Sequence, residues 1–291
     1  MMPPFRRVAI LGCGLIGGSF ALALRRAFPE IAINGWDRDE VLARARERAA
    51  IDDGSTDLGA ACREADLVYV ALPVEVIVHR LPEIAAAAPA QALVTDAAST
   101  KTAVCERARL SFFPPRLFLG GHPIAGRERG GIDHADPDLF RNATYVLIGQ
   151  SGEREPSGEE AEDARIPRFI DVIHEIGAQP TWLDAAAHDR LFAFLSHLPQ
   201  LASIALAETV LEGAGDAAAT LAGPGLADSL RLAGSPYELW EGICRTSPAL
   251  DDALARLIAT LERIRSGLAT GALGDDFARA ARLYTILRHI E

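Results

Sequence analysis

The sequence has little positive charge and few cysteines, and each shortage excludes a class of protein. Lysine and arginine together number 29 against 40 aspartate and glutamate residues, which gives a formal net charge of −11 at pH 7. A chain this acidic is a poor partner for nucleic acid or an anionic membrane, because both carry dense negative charge. The four cysteines lie far apart, without the spacing of a metal site or a disulfide scaffold. The sequence therefore predicts a reduced, cytoplasmic protein with no bound metal.

The chain is long enough for two domains. Its 291 residues exceed the roughly 100–150 residues of one typical domain. Strand and helix patterns alternate along residues 1–183, which predicts an α/β domain with a parallel, helix-covered sheet. A stretch rich in Gly, Ser, Pro and Glu over 150–163 predicts an exposed loop within it. From Asp184 onward, helical patterns rich in Ala and Leu predict a second, all-helical domain over 184–291.

A glycine-rich loop follows the first predicted strand. Val8–Leu11 is typical of a buried strand, Gly12, Gly14 and Gly17 form the pattern G-x-G-x-x-G, and Ser19–Ala27 is typical of a helix. In such a loop the first glycine permits a tight turn, the second lets the backbone approach a pyrophosphate, and the third lets helix and strand pack closely. The helix N-terminus offers free N–H groups to the phosphates. The order of elements predicts a Rossmann-type dinucleotide-binding domain.

A carboxylate stands where such a domain binds ribose. Asp37 follows the second predicted strand, Ile31–Trp36, and lies twenty positions after Gly17. A carboxylate there accepts the ribose hydroxyls and repels a 2′-phosphate, which favours NAD over NADP. Arg38 could stack on adenine or offset part of that repulsion, and a solvated side chain is the alternative. The remaining predicted cofactor contacts are two loop residues and the residue that ends a later strand, namely Leu15, Ile16 and Pro73.

A histidine stands in a stretch rich in glycine. The segment Gly120–Gly126 follows the short apolar run Leu117–Leu119, so we expect His122 in a loop just past a strand end. Loops at the carboxyl ends of strands bind ligands in open α/β folds, and a histidine there can accept a proton near neutral pH. Ser99 follows another predicted strand, Leu93–Asp96, at the same edge. A nicotinamide cofactor beside a histidine predicts a dehydrogenase whose base takes a hydroxyl proton as hydride leaves.

The helical half supplies a predicted interface and one ambiguous pair. The stretch Leu201–Leu211 carries a single charge, Glu208, so this helix must be buried within its own bundle or against a partner subunit. We expect a homodimer built on these helices. His188 and Asp189 are neighbours on a helix and should point in different directions, so they are predicted to serve capping and packing, not catalysis.

Several segments together resemble the prephenate/arogenate dehydrogenase family of tyrosine biosynthesis: Gly12–Ser19, Asp96–Lys101, Gly120–Gly126, Ser196–Pro199 and Arg231–Trp240. The match spans nearly the whole chain. The resemblance implies NAD-dependent oxidative decarboxylation of prephenate to 4-hydroxyphenylpyruvate, in which hydride leaves the hydroxyl-bearing ring carbon, CO2 is lost and the ring becomes aromatic. Arogenate as the substrate, or use of both compounds, stays open.

The resemblance also implies roles for residues near the reacting carbon and the substrate carboxylate. His122 would accept the hydroxyl proton, and Ser99 would hydrogen-bond the substrate hydroxyl or His122. Arg231 would bind a substrate carboxylate, since a guanidinium can donate two parallel hydrogen bonds. Trp240 would form an apolar wall or pack in the core.

The remaining predicted substrate contacts are less specific. His197 is either a substrate contact or an ordinary core histidine. Gln200 stands where some relatives carry a second histidine. Arg127, directly after the histidine segment, either favours the side-chain carboxylate of prephenate over the ammonium of arogenate or is a solvated side chain.

Two other kinds of protein fit the dinucleotide domain less well. β-Hydroxyacid dehydrogenases also join it to a helical domain but usually rely on a catalytic lysine there, and no lysine follows Lys101 in this chain. A non-catalytic NAD-binding regulator would not need His122, Ser99 and Arg231 together.

Overall fold

The structure, a computed structural model, describes residues 3–127, 129–149, 152–154 and 162–288. The loop predicted over 150–163 lies mostly outside these residues. The strands of the N-terminal domain are β1 (Arg7–Leu11), β2 (Ala32–Trp36), β3 (Asp53–Ser55), β4 (Leu67–Val70), β5 (Leu93–Asp96), β6 (Leu117–Pro123), β7 (Thr144–Ile148) and β8 (Gln179–Trp182). They form one eight-stranded sheet in the order β3-β2-β1-β4-β5-β6-β7-β8.

Helices connect and cover these strands. They are α1 (Leu15–Ala27), α2 (Asp39–Glu47), α3 (Leu58–Cys62), α4 (Val74–Ala87), α5 (Thr102–Arg109) and α6 (Arg165–Glu175), with a 3-10 turn at Ile132–His134. Successive residues of β1 enter opposite cores, because side chains alternate across a strand. Val8 and Ile10 pack in one apolar cluster, and Ala9 and Leu11 pack in the other. The sheet is therefore buried on both faces, as an apolar run without alternation predicts.

The sheet reverses its strand order at β1, which lies between β2 and β4. The chain passes from β1 to β2 in one direction along the sheet and from β4 to β5 in the other, and a reversal of this kind creates a crevice at the carboxyl edge. Open α/β folds bind ligands in that crevice. The glycine-rich loop, which follows β1, lies there.

His122 lies within a strand, so the prediction that it sits in a loop past a strand end is wrong. Strand β6 extends to Pro123 because β7 pairs with it antiparallel, with His122 opposite Val146. For the same reason the sheet is mixed, whereas the sequence predicted a parallel sheet. Glycine is required at position 121, where a Cβ atom would lie 2.5 Å from the carbonyl oxygen of Asp96. The glycines that suggested a loop instead permit close approach of two chain segments.

The C-terminal domain is helical. Helix α7 (Ala185–Phe192) continues through a π-helical turn, Ala193–His197, into α8 (Leu198–Ala214). The remaining elements are α9 (Ala217–Leu221), α10 (Pro224–Leu230), a 3-10 turn (Arg231–Gly234), α11 (Tyr237–Thr246), α12 (Leu250–Leu268) and α13 (Gly274–Arg288). The continuous helix Ala185–Ala214 is long and apolar enough to cross a bilayer by length and composition alone. Within α8 only Gln200 and Ser203 are fully buried, so its own bundle covers its apolar surface only in part.

Candidate active site

The glycine-rich loop has the geometry that a dinucleotide pyrophosphate requires. Gly12 has φ of +93°, and a side chain on it would overlap the carbonyl of Ala71 in the loop after β4. A side chain at Gly17 would overlap the carbonyl of Gly12, which shows how closely α1 packs on the strand. Around Gly14, in contrast, nothing lies within 4 Å of the position of an added Cβ. The loop is therefore tightly packed at Gly12 and Gly17 and open at Gly14. The open side lies at the N-terminus of α1, where Leu15 and Ile16 begin the helix.

The carboxylate of Asp37 is fixed beside this loop. The backbone N–H of Cys13 donates to its Oδ2 at 2.8 Å, and the backbone N–H of Arg38 donates to its Oδ1 at 2.8 Å. Each oxygen keeps a further lone pair for a ribose hydroxyl. The Arg38 guanidinium turns to solvent and pairs with Glu40 at 2.9 Å. Pro73 precedes α4 across the crevice.

Three side chains, His122, His188 and Asp189, are linked by hydrogen bonds into what we call the imidazole chain. Nδ1 of His122 lies 2.8 Å from Nε2 of His188, and Nδ1 of His188 lies 2.8 Å from Oδ1 of Asp189. The Phe192 ring packs against both imidazoles, with centroid distances of 5.0 Å to His122 and 4.5 Å to His188. The chain crosses the domain boundary, because His122 belongs to β6 and the other members belong to α7.

This chain determines which nitrogen of His122 carries a proton. A carboxylate only accepts, so Nδ1 of His188 must donate to Asp189. In a neutral His188 the other nitrogen, Nε2, is then an acceptor and takes a hydrogen bond from Nδ1–H of His122. The lone pair of His122 is thereby placed on Nε2, the nitrogen that is left to receive a proton from a substrate.

The surroundings keep both histidines neutral at pH 7. Burial lowers the pKa of His122 well below its usual value, and the nearby His188, Lys101 and His197 lower it further. Burial also lowers the pKa of His188, although the hydrogen bond to Asp189 opposes that shift. Burial acts to raise the pKa of Asp189, but hydrogen bonds from His188, Thr102 and Lys101 outweigh it and lower the pKa. The result is an ionised carboxylate behind two neutral imidazoles, and a neutral imidazole can accept a proton.

The prediction that the side chains of His188 and Asp189 point in different directions is wrong, because they hydrogen-bond to each other. His188 is fully buried and bridges His122 to Asp189. Asp189 does cap a helix, but not its own: it accepts the backbone N–H groups of Lys101 at 2.8 Å and Thr102 at 2.9 Å, at the start of α5. These amides lie two and three residues after Ser99. Asp189 therefore holds the Ser99 loop as well as the imidazole chain, and Ser99 is partly exposed at the same sheet edge.

His197, Gln200 and Trp240 form a second group beside the imidazole chain. His197 is buried, its Nδ1 lies 3.0 Å from the hydroxyl of Ser247, and the Trp240 ring meets its imidazole edge-on. Burial lowers the pKa of His197 to about 4. The Gln200 amide donates from Nε2 to the carbonyl of Leu232 at 2.9 Å. Its Oε1 and the indole Nε1 of Trp240 are buried with no hydrogen-bond partner among the described residues.

The two predicted arginines lie on separate segments, the 3-10 turn after α10 and the segment after β6. Arg231 begins the 3-10 turn that packs on α8 and is exposed. The guanidinium of Arg127 forms an ion pair with Asp136, whose backbone N–H donates to the Ser19 hydroxyl on α1. Its charge therefore has a carboxylate partner close to the cofactor loop. The role of Arg127 in choosing between substrates stays a prediction.

Within the described part of the chain, no group of three or more His, Cys, Asp or Glu side chains is arranged to hold a metal ion. The fold and site together define a dehydrogenase: a dinucleotide-binding domain whose sheet edge presents a neutral, oriented histidine. Residues 20–166 match the family model of the prephenate dehydrogenase nucleotide-binding domain, and residues 184–282 match that of the prephenate dehydrogenase dimerization domain. The chain belongs to the prephenate dehydrogenase family.

Individual relatives agree with this assignment. The chain is 33% identical over 269 residues to the prephenate dehydrogenase of Lactococcus lactis, covering 90% of this chain and 68% of that protein. It is 30% identical over 275 residues to the cyclohexadienyl dehydrogenase of Zymomonas mobilis, covering 92% and 90%. The crystal structure of Synechocystis arogenate dehydrogenase is similar with a TM-score of 0.76 and 28% identity, covering 97% of this chain and 99% of that one.

Proposed function

We propose that the protein catalyses the NAD-dependent oxidative decarboxylation of prephenate to 4-hydroxyphenylpyruvate. The observation that carries the proposal is the His122–His188–Asp189 chain, which sets a neutral base at the sheet edge that also holds the glycine-rich loop and Asp37. Such a base suits removal of a hydroxyl proton. The homologous prephenate dehydrogenase of Lactococcus lactis supports the choice of substrate.

The reaction balances with one base and one hydride acceptor. The glycine-rich loop and Asp37 would hold NAD, which would supply the acceptor for the hydride of the ring carbon that carries the hydroxyl. His122 takes the hydroxyl proton on Nε2, which leaves a ring carbonyl. The bond to the ring carboxylate then breaks, CO2 leaves, and its electron pair makes the ring aromatic. His122 returns its proton to the phenolic oxygen, so the reaction releases no net proton.

The rest of the site would orient the substrate. Ser99, on the loop that Asp189 fixes, would hydrogen-bond the reacting hydroxyl. Arg231 would bind a carboxylate at the opposite end of the ring. The imidazolium formed on His122 is balanced through His188 by the Asp189 carboxylate.

The test is NADH formation by the purified protein with prephenate and with arogenate, each with NAD and NADP. We expect turnover with prephenate and NAD. His122→Asn should lower kcat by about 100- to 10,000-fold, the usual contribution of a general base, while NAD still binds. Absence of NADH from the wild type with either substrate would reject the activity and favour a non-catalytic NAD-binding regulator.

A second candidate substrate, arogenate, is favoured by Gln200. Because Nε2 of its amide is engaged by the Leu232 carbonyl, the partnerless Oε1 must face the other way. A buried acceptor suits an ammonium group, and the partnerless indole N–H of Trp240 suits a carboxylate. Gln200→Leu should lower kcat/KM for arogenate by about 10- to 150-fold, the usual weight of a hydrogen bond to a charged group, and change that for prephenate less. Equal effects on both substrates would contradict this role.

We also propose that the protein is a homodimer in the cytoplasm. An open apolar groove of about 590 Å³ runs between α8, α9 and α10, and Leu211 and Leu221 beside it are 68% and 81% exposed. Apolar surface of this extent is typical of an interface. The match to a dimerization domain favours a second copy as the occupant. The four cysteines are free thiols, which suits a reducing compartment.

A further inference from the structure

Lys101 is the only lysine among the 291 residues, and it is wholly buried. Its ammonium forms an ion pair with the equally buried Asp96 and donates to the carbonyl oxygen of Gly121 at 2.6 Å. Charged side chains are rarely buried to this degree unless they are paired. Apart from histidine, every other basic side chain of the protein is an arginine, so the lysine at this position calls for a local explanation.

Asp96 and Lys101 together hold the residue that precedes His122. The backbone N–H of Gly121 donates to Oδ1 of Asp96 at 3.0 Å, and its carbonyl accepts from Lys101. Parallel pairing between β5 and β6 ends at Thr95 and Leu119. Beyond that point the two side chains replace the missing strand and satisfy both polar groups of Gly121.

The same residue also supports the far end of the imidazole chain. The backbone N–H of Lys101 donates to Oδ1 of Asp189, the oxygen that accepts from His188. Oδ2 of Asp96 accepts the backbone N–H of Ala98, next to Ser99. Lys101 thus holds His122 from two sides, through the peptide before it and through the carboxylate that orients it.

We propose that Lys101 is a positioning residue for His122, which fixes the base through Gly121 and Asp189 without contacting substrate. The proposal rests on the proposed function. An arginine could not take this place, because a planar guanidinium is larger than the compact ammonium that fits between a carboxylate and a carbonyl. The positive charge has a second effect, since it disfavours a proton on His122.

Other groups face His122 as well and fix the sign of any pH effect. His188 and His197 of the helical domain also disfavour its protonation. Asp189 acts from behind His188, and Asp96 lies behind Lys101. Removing the ammonium should therefore raise the pKa of His122 and move the acid limb of kcat/KM to higher pH.

The first test measures the kinetics of Lys101→Met. A second variant, Lys101→Met/Asp96→Asn, also removes the charge of Asp96, so that no unpaired charge stays buried. We expect kcat with prephenate to fall by about 100-fold, as for a base displaced by about 1 Å, with KM for NAD unchanged and the acid limb moved to higher pH. Arg165→Met is the matched control, because Arg165 pairs with Asp163 and bonds the Ala92 carbonyl at the opposite end of β5. It should leave kcat and the pH profile unchanged.

Two results would overturn the proposal: a kcat equal to the wild type, or a lower kcat with an unmoved acid limb, which a general loss of structure also gives. If neither variant folds, the proposal can be tested on the wild-type protein by NMR. Protein labelled with ¹⁵N-lysine gives one side-chain signal and one backbone signal. We expect an ammonium signal of Lys101 that exchanges slowly with water and whose chemical shift changes as His122 titrates. A signal that exchanges fast and keeps a constant chemical shift during this titration would refute the role. A wild type that makes no NADH rejects the proposed function, not this arrangement.

Discussion

Replacing His188 by phenylalanine tests the imidazole chain directly. The phenylalanine ring fits the same space and can stack on Phe192, as the imidazole does at 4.5 Å. What is lost is the acceptor of the His122 Nδ1–H and the link to Asp189. Nothing then keeps the proton of neutral His122 on Nδ1, so a fraction of the molecules carries it on Nε2 and cannot act as a base.

The loss is largest when His122 becomes charged. A hydrogen bond to a charged group contributes about 1.5–3 kcal/mol, compared with about 0.5–1.5 kcal/mol for a neutral one. At about 1.4 kcal/mol for each factor of ten, the first range predicts that kcat falls by about 10- to 150-fold. KM for NAD should not change, because the cofactor loop and Asp37 do not touch His188.

The assay is steady-state NADH formation with prephenate, on His188→Phe, Asp189→Asn and the double variant. Because both residues act in series through His122, the double variant should be about as slow as the slower single variant. Asp184→Asn is the control, since Asp184 caps the same helix by accepting the Ala187 N–H at 2.7 Å and asparagine caps as well as aspartate. A kcat for His188→Phe within twofold of the wild type, or single effects that multiply, would refute the reasoning.

Three further predictions concern the fold, the cofactor and the assembly. Burial lowers the pKa values of His122, His188 and His197, so below pH 6.5 the unfolded chain binds more protons than the folded one, and the free energy of unfolding falls as pH drops. For His197, whose pKa is about 4, the full loss is roughly 3 kcal/mol. Urea unfolding that gives equal free energies of unfolding at pH 7 and pH 5 would contradict this prediction. Asp37→Ala should raise KM for NAD and narrow the preference over NADP, and an unchanged ratio of kcat/KM values would remove Asp37 from the cofactor site. Leu211→Arg should convert the dimer to monomer in light scattering after size exclusion, and a monomeric wild type would reject the proposed interface.

The cofactor loop could be predicted from sequence because its logic is local. Gly12, Gly14 and Gly17 are close neighbours in the chain, and their roles follow from one strand–turn–helix unit. Asp37 directly follows the next strand of the same unit. The structure adds the reason for each glycine: overlap with a backbone carbonyl at two of them, and open space at Gly14.

The imidazole chain could not be predicted because its members meet only through the tertiary fold. His122 and His188 are separated by 66 residues, and β7, which extends β6 to include His122, begins after an irregular segment. The rule that adjacent helical residues diverge also misled, since side chains about 100° apart on a helix can still bond when the imidazole Nδ1 lies close to its own backbone. His188 and Asp189 do so at 2.8 Å.

The π-helical turn at Ala193–His197 joins the part of the helix that holds the base to the part that carries the apolar groove. Such a turn is equivalent to a single residue inserted into a regular helix, and it sets the angular register between the two parts. Deleting one residue there would restore an unbroken α-helix and rotate Asp189 by about 100° relative to α8. Helix content and assembly would survive such a deletion while turnover would not. The turn therefore sets the angle between the helix segment that contacts His122 and the apolar groove that we propose as the dimer interface.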